Sequence, residues 1–269
     1  MSLFGSAYPV SKLALNSSLP PILLGSLRCG IFLIFLLPFC NYKISQKKYI
    51  LPLIGFSFCF GAGVFMFMNL ALYNSQVISP IIIGSQLSIP FAIIISSVFI
   101  GEAINIRKWI FIITSFIGII FIGFDPKLAN EIDSLILTSI MAFCYGLGQV
   151  FSRYLKDLDH KFTTFCAGLV GFITLFILSI FFEGNTYHHI INISFETWLL
   201  VLHSAVLVTL FGHMSMFYLY QFYTVDKVLP FYSLFPIIGI ILTFIIFLEI
   251  PGIYEIFGGF IIIGSVYLI

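Results

Sequence analysis

Charge is what this chain has least of. Asp, Glu, Lys and Arg make up 9% of its residues against 60% hydrophobic ones, which excludes a water-soluble domain, where about a quarter of residues are charged. A formal net charge of +1 says nothing about nucleic acid, and none is expected as a partner. Cysteine is sparse too. Cys29, Cys40, Cys59, Cys144 and Cys166 lie in apolar runs without CxxC or Cys/His ligand spacing, so they read as small hydrophobes, and neither a metal nor another cofactor is expected. No Walker-type glycine loop occurs, which leaves no nucleotide-driven engine. The opening MSLFGSAYPVSKLAL lacks a basic stretch and a cleavage site, so no secretory leader is expected.

What fills the chain is apolar runs of membrane length, since ~20 residues cover a hydrocarbon core of ~30 Å. They predict an all-α polytopic membrane protein of ten transmembrane helices, at approximately 3–16, 22–40, 50–72, 77–99, 105–124, 134–153, 162–182, 198–221, 228–248 and 253–269. Two runs stand out, VISPIIIGSQLSIPFAIIISSVFIGE at 77–102 and VLPFYSLFPIIGIILTFIIFLE at 228–249, because each carries a proline near its middle. Proline has no N–H and crowds the carbonyl four residues back, so Pro90 is expected to free the carbonyl of Gln86, and Pro236 that of Tyr232. In hydrocarbon such a carbonyl must meet protein, water or a ligand.

Basic residues are one-sided. Loops after the even-numbered spans hold Lys43, Lys47, Lys48, Arg107, Lys108, Arg153, Lys156, Lys161 and Lys227, whereas the odd-numbered loops hold Lys127 alone. Basic loops stay in the cytoplasm, which predicts both termini inside.

A repeat of five spans divides the chain into 1–127 and 128–269. Phe4-Gly5 precedes Lys12 as Tyr145-Gly146 precedes Arg153, and Pro90 stands before Glu102 much as Pro236 stands before Glu249. Five is odd, so the second half enters the membrane upside down, the arrangement that lets one fold open to either side.

Polar side chains inside the membrane are costly and each asks for a reason. Gln86 could hydrogen-bond a substrate or tie two helices together. Tyr145 and Gln149 are one turn apart on one helix face, with Gly146 and Gly148 between them allowing close packing as the alternative. His213 titrates near neutrality when unperturbed; it could respond to protons or be bonded to a neighbouring helix. Lys12 and Arg28 fall in the outer half of their spans with no acidic residue in either span, so they either snorkel to the headgroups or attract the carboxylate of a substrate. Asn69 could line an entrance or simply pack. Glu102 and Glu249 are expected to start the helices that follow them, favoured by the N-terminal dipole. His188-His189 without further ligands is a weak metal signal.

The order Phe4-Gly5, Lys12, Pro20-Pro21, Arg28, Gly101-Glu102, Tyr145-Gly146, Arg153 and Glu249 resembles the drug/metabolite transporter superfamily of the ten-helix EamA type over essentially the whole chain. Gln86, Pro230, Pro236, Gly239 and Glu249 are similar to its bacterial cysteine and O-acetylserine exporter subgroup, although Ser88 stands where that subgroup has a second glutamine, and the usual Trp-Gly is Phe4-Gly5. The resemblance implies secondary transport of a small amino-acid-like metabolite out across the bacterial inner membrane, through a substrate site drawn from Gln86, Tyr145, Gln149, His213, Tyr232, Asn69, Lys12 and Arg28. Its expected partners are the substrate and the lipid bilayer, with protons a candidate coupling ion. Import of a larger metabolite, such as a nucleoside-containing cofactor precursor, is the alternative; a passive scaffold and an intramembrane enzyme are the non-transport ones. No span carries an acidic pair, a Ser/His nucleophile or an HExxH helix to favour the enzyme.

Overall fold

A bilayer offers the backbone no water, so each apolar run satisfies its own N–H and C=O groups by coiling. The computed structural model describes residues 2–40, 47–101, 103–128, 131–222 and 235–268, and all regular structure among them is helical. In chain order the helices are α1 (Ser2–Asn16), α2 (Pro21–Phe39), α3 (Lys47–Asn74), α4 (Ser79–Phe99), α5 (Ile106–Gly123), α6 (Ile132–Tyr154), α7 (His160–Phe182), α8 (Phe195–Met216), α9 (Phe235–Phe247) and α10 (Ile253–Leu268). Among the described residues, 7 of them, α2 to α8, are long and apolar enough to cross a membrane. Their starts follow local chemistry. Pro21 opens α2, where a missing N–H costs nothing, and the side chains of Asn105, Asp159 and Ser194 accept from the first free N–H groups of α5, α7 and α8. The expected first turns of α9, with Pro230 and Tyr232, lie outside the described residues, as does Glu102.

The helices pair α1 with α9, α4 with α6, α2 with α7 and α5 with α10. The α1–α9 and α4–α6 crossings are among those close enough to require glycine. A Cβ on Gly5 would stand 2.8 Å from the backbone N of Gly239, and one on Gly146 would stand 2.9 Å from both Ser88 O and Ala92 N. Phe32, Phe56, Phe60, Phe65 and Phe235 fill the interior, while Leu51, Val98, Phe181 and Phe260 stand exposed on the outside. That outward apolar surface suits lipid and would be a liability in water.

Three departures from the expected helices matter. First, α3 and α8 each widen into a π-helical stretch, Ser57–Val64 and His203–His213. Such turns are rare and tend to sit at functional positions. Second, α4 tightens to a 3₁₀ turn at Ser85–Leu87, where the backbone N–H of Ser88 donates to Ser85 O. Pro90 therefore interrupts the regular winding of the helix where expected. Third, Glu249 does not start the next helix; it caps a distant one. Its Oε2 accepts from Ile78 N–H and its Oε1 from Ser79 N–H, both at 2.8 Å, at the N-terminus of α4.

That last contact belongs to a set. At the same end of the bundle, Glu183 accepts from Ile22 N–H at 2.6 Å and from Leu23 N–H at 2.9 Å, at the start of α2. Glu131 accepts from Gln76 N–H and the Ser75 hydroxyl. Lys12 Nζ donates to Leu72 O at 2.7 Å and Ser75 O at 2.6 Å, on the last turn of α3. Glu183 and Glu249 thus meet positive helix starts and Lys12 a negative helix end, while Glu131 holds the connection between α3 and α4.

Candidate functional site

A small cavity lies at the middle of the bundle, built by α1, α2, α3, α4, α6, α8 and α9. Phe4 and Tyr8, four residues apart on one face of α1, form one wall with Phe235 of α9, whose ring stacks on Tyr8 at 6.1 Å and 3°. Phe65 and Met68 of α3 and Met141 of α6 add apolar surface, and the polar lining is Arg28, Ser85, Tyr145, Tyr8 and His213. His213 meets Phe4 edge-on at 4.7 Å and Tyr145 at 5.9 Å and 88°. The space is about 30 Å³, room for a water or two but not for a metabolite, since a water needs roughly 10–15 Å³ of such volume.

Arg28 is the charged member, and it is 1% exposed. It does not snorkel to a headgroup layer. Its guanidinium lies 4.3 Å above the Phe65 ring, a favourable contact for a desolvated cation. Its Nε donates to Thr209 Oγ1 at 3.0 Å, and Nη1 is buried without a hydrogen-bond partner among the described residues. The π-helical stretch of α8 explains how Thr209 gets there. In that wide turn the Thr209 hydroxyl donates to Ser204 O, and His213 Nδ1 lies 3.2 Å from Val208 O, each five residues back. A carbonyl can only accept, so Nδ1 of His213 carries the proton. The expected bond from His213 to a neighbouring helix is in this respect a bond within its own.

The EamA-like transporter family matches residues 1–124 and again 134–269, nearly the whole chain. The chain belongs to that family. It is a multi-pass membrane protein and, as the family implies, a transporter of small molecules. A solved structure, titled only as the crystal structure of a protein, is similar in fold, with a TM-score of 0.62 at 16% identity over 99% of this chain and 95% of that one. A comparison with curated proteins gave no match.

In this EamA-like chain the expected site residues part company. Arg28, Tyr145 and His213 come together in the cavity lining. Gln86 is fully buried beside Ser85 but does not line the cavity, and neither atom of its amide has a hydrogen-bond partner among the described residues. The same holds for Gln149, one turn beyond Tyr145 on α6. Asn69 donates to Pro21 O at 3.0 Å and ties α3 to the start of α2; Lys12 belongs to the capped end. Neither lines the cavity. Tyr232 lies outside the described residues. Tyr8, Ser85 and Thr209 were not singled out from the sequence. A signal for Tyr8 existed, its place one turn after Phe4; for Thr209 there was none, because a lone threonine in an apolar helix usually bonds its own backbone.

Proposed function

We propose that this chain is a secondary transporter that exports amino acids or amino-acid derivatives across a bacterial inner membrane by alternating access. The observation that carries the reading is the central cavity, in which a buried guanidinium, a histidine and two tyrosines converge from four of the seven helices that line it. Intramembrane ionisable groups of this kind mark substrate and ion pathways. Ten spans in two inverted halves, 1–127 and 128–269, with both termini cytoplasmic, fit the helix pairing: moving every helix five places along exchanges α1–α9 with α6–α4 and returns α2–α7 and α5–α10 to themselves. Gln86 and Gln149, orphaned next to the lining, are positioned to turn toward a substrate when the cavity widens.

Substrate counterflow in proteoliposomes, run over an amino-acid and amino-acid-derivative panel, tests the reading; exchange of at least one member is expected. Protons enter as the coupling ion through His213. His213→Gln should keep counterflow, which needs no net proton movement, while losing flux driven by a pH gradient. Wild-type gradient-driven flux in that variant removes proton coupling from the scheme.

A further inference from the structure

Among the described residues, the cavity holds a fixed positive charge and no negative one. None of the residues lining it is Asp or Glu, and no carboxylate among the described residues pairs with Arg28. A guanidinium taken out of water at this depth is costly unless paired, and its two contacts, the Phe65 face and Thr209, are both uncharged. Nη1 is a donor in a fixed planar fork, buried and unspent. Such a group is completed by an anion. One guanidinium balances one negative charge, which suits a carboxylate better than a phosphate dianion. The rest of the lining says what the carboxylate is attached to. Phe4, Tyr8, Phe65 and Phe235 offer ring faces and edges, which pack against an apolar or aromatic body. A free ammonium would find no carboxylate there, so a zwitterionic amino acid would leave its own cation unpaired in the same low-dielectric space.

We infer that the cavity takes a small organic monoanion, a carboxylate on an apolar or aromatic body without a free ammonium, with Arg28 Nη1 as the anion donor. N-acylated amino acids and deaminated amino acids are the class that meets this description. The inference rests on the transport reading above and narrows its substrate.

The test uses one scaffold in four forms: 3-phenylpropionate, 3-phenylpropionamide, phenethylamine and phenylalanine. Binding is read by the thermal shift of the purified full-length protein in detergent, and transport by counterflow in proteoliposomes. The carboxylate is expected to bind about 10-fold or more tightly than the amide, as one charge-assisted hydrogen bond in a desolvated site would give, and the amine and the zwitterion are expected to bind more weakly still. In Arg28→Gln the preference for carboxylate over amide should disappear; if that variant does not fold, the wild-type series decides alone. Equal binding of carboxylate and amide, or preference for phenylalanine, overturns the inference. The two readings fail separately. Counterflow of phenylalanine without a carboxylate preference leaves the transporter and removes the monoanion, whereas carboxylate binding with no flux of any compound does the reverse.

Discussion

Four charged groups at one end of this bundle grip the backbone of other elements, whereas several polar atoms at its middle have no hydrogen-bond partner among the described residues. At the end, Glu131, Glu183, Glu249 and Lys12 each hold backbone groups of another helix or loop. Half a bilayer away, Arg28 Nη1, both amide atoms of Gln86 and Gln149, and the hydroxyl of Ser88 are buried without hydrogen-bond partners. Hydrocarbon penalises an unpaired polar group at either place, so the difference is one of task. Paired groups fix which helices meet; unpaired ones keep their hydrogen-bonding capacity for something that comes and goes. In the transport cycle proposed above, the capped end would act as the latch and the middle as the binding surface.

Breaking the latch should have the largest effect. Glu249→Ala leaves Ile78 and Ser79 N–H without their acceptor and is expected to cost about 2–3 kcal/mol, since hydrogen bonds to a charged group contribute roughly 1.5–3 kcal/mol each and water recovers part of the loss. Thermal unfolding in detergent measures it. Glu183→Ala caps a different helix, so the two losses should add; a double variant no worse than either single one would mean that the caps form one cooperative unit. Lys12→Met comes next, at about 1 kcal/mol for a cation on a helix C-terminus. An unchanged melting temperature there would leave the contact with α3 without energetic weight.

In the middle the sign should reverse. Gln86→Met keeps the volume and removes an unmet amide, so stability should stay level or rise by up to about 1 kcal/mol, while counterflow falls. A loss of stability would show that the amide has a partner in the folded protein and erase the contrast with the ends. Pro90→Ala is the smallest change. Restoring an N–H lets the 3₁₀ turn at Ser85–Leu87 relax toward α, with a stability change expected below about 1 kcal/mol. Transport should fall only through the reorientation of Ser85 and Gln86, and an abolished flux with unchanged fold would assign the proline a larger part.

The helices were legible because depth in a membrane is written residue by residue. The run expected at 134–153 is helical over Ile132–Tyr154, and that at 162–182 over His160–Phe182. Neighbourhood is not written that way. Arg28 in an apolar run reads as a cation seeking water, and only the packing of α2 against α7, α3 and α8 encloses it. Glu249 looks like the start of the next helix, yet the N–H groups that hold it are 170 and 171 residues away. Tyr145 and His213 could be named as polar side chains within spans, but the meeting of their rings over Phe4 depends on three helices whose order along the chain says nothing of their contact. The π-helical stretches left no trace in hydropathy, which counts apolar residues and not residues per turn.

Those stretches can also be seen as a matter of phase. A π turn is what remains when one extra residue enters a helix whose two ends are already held by their neighbours: everything downstream keeps its old bearing, and the surplus is stored as a bulge. Removing one residue, for example Leu207, which lies within His203–His213 and is 39% exposed, would return α8 to regular winding. It would also shorten the spacing between Thr209 and its acceptor Ser204 O, now five residues back, and so displace the hydroxyl inside the stretch while the residues beyond it keep their bearing. The grip on Arg28 Nε would be lost by a deletion that changes no side chain in the cavity. In this helix the number of residues, as much as their kind, specifies what the cavity presents.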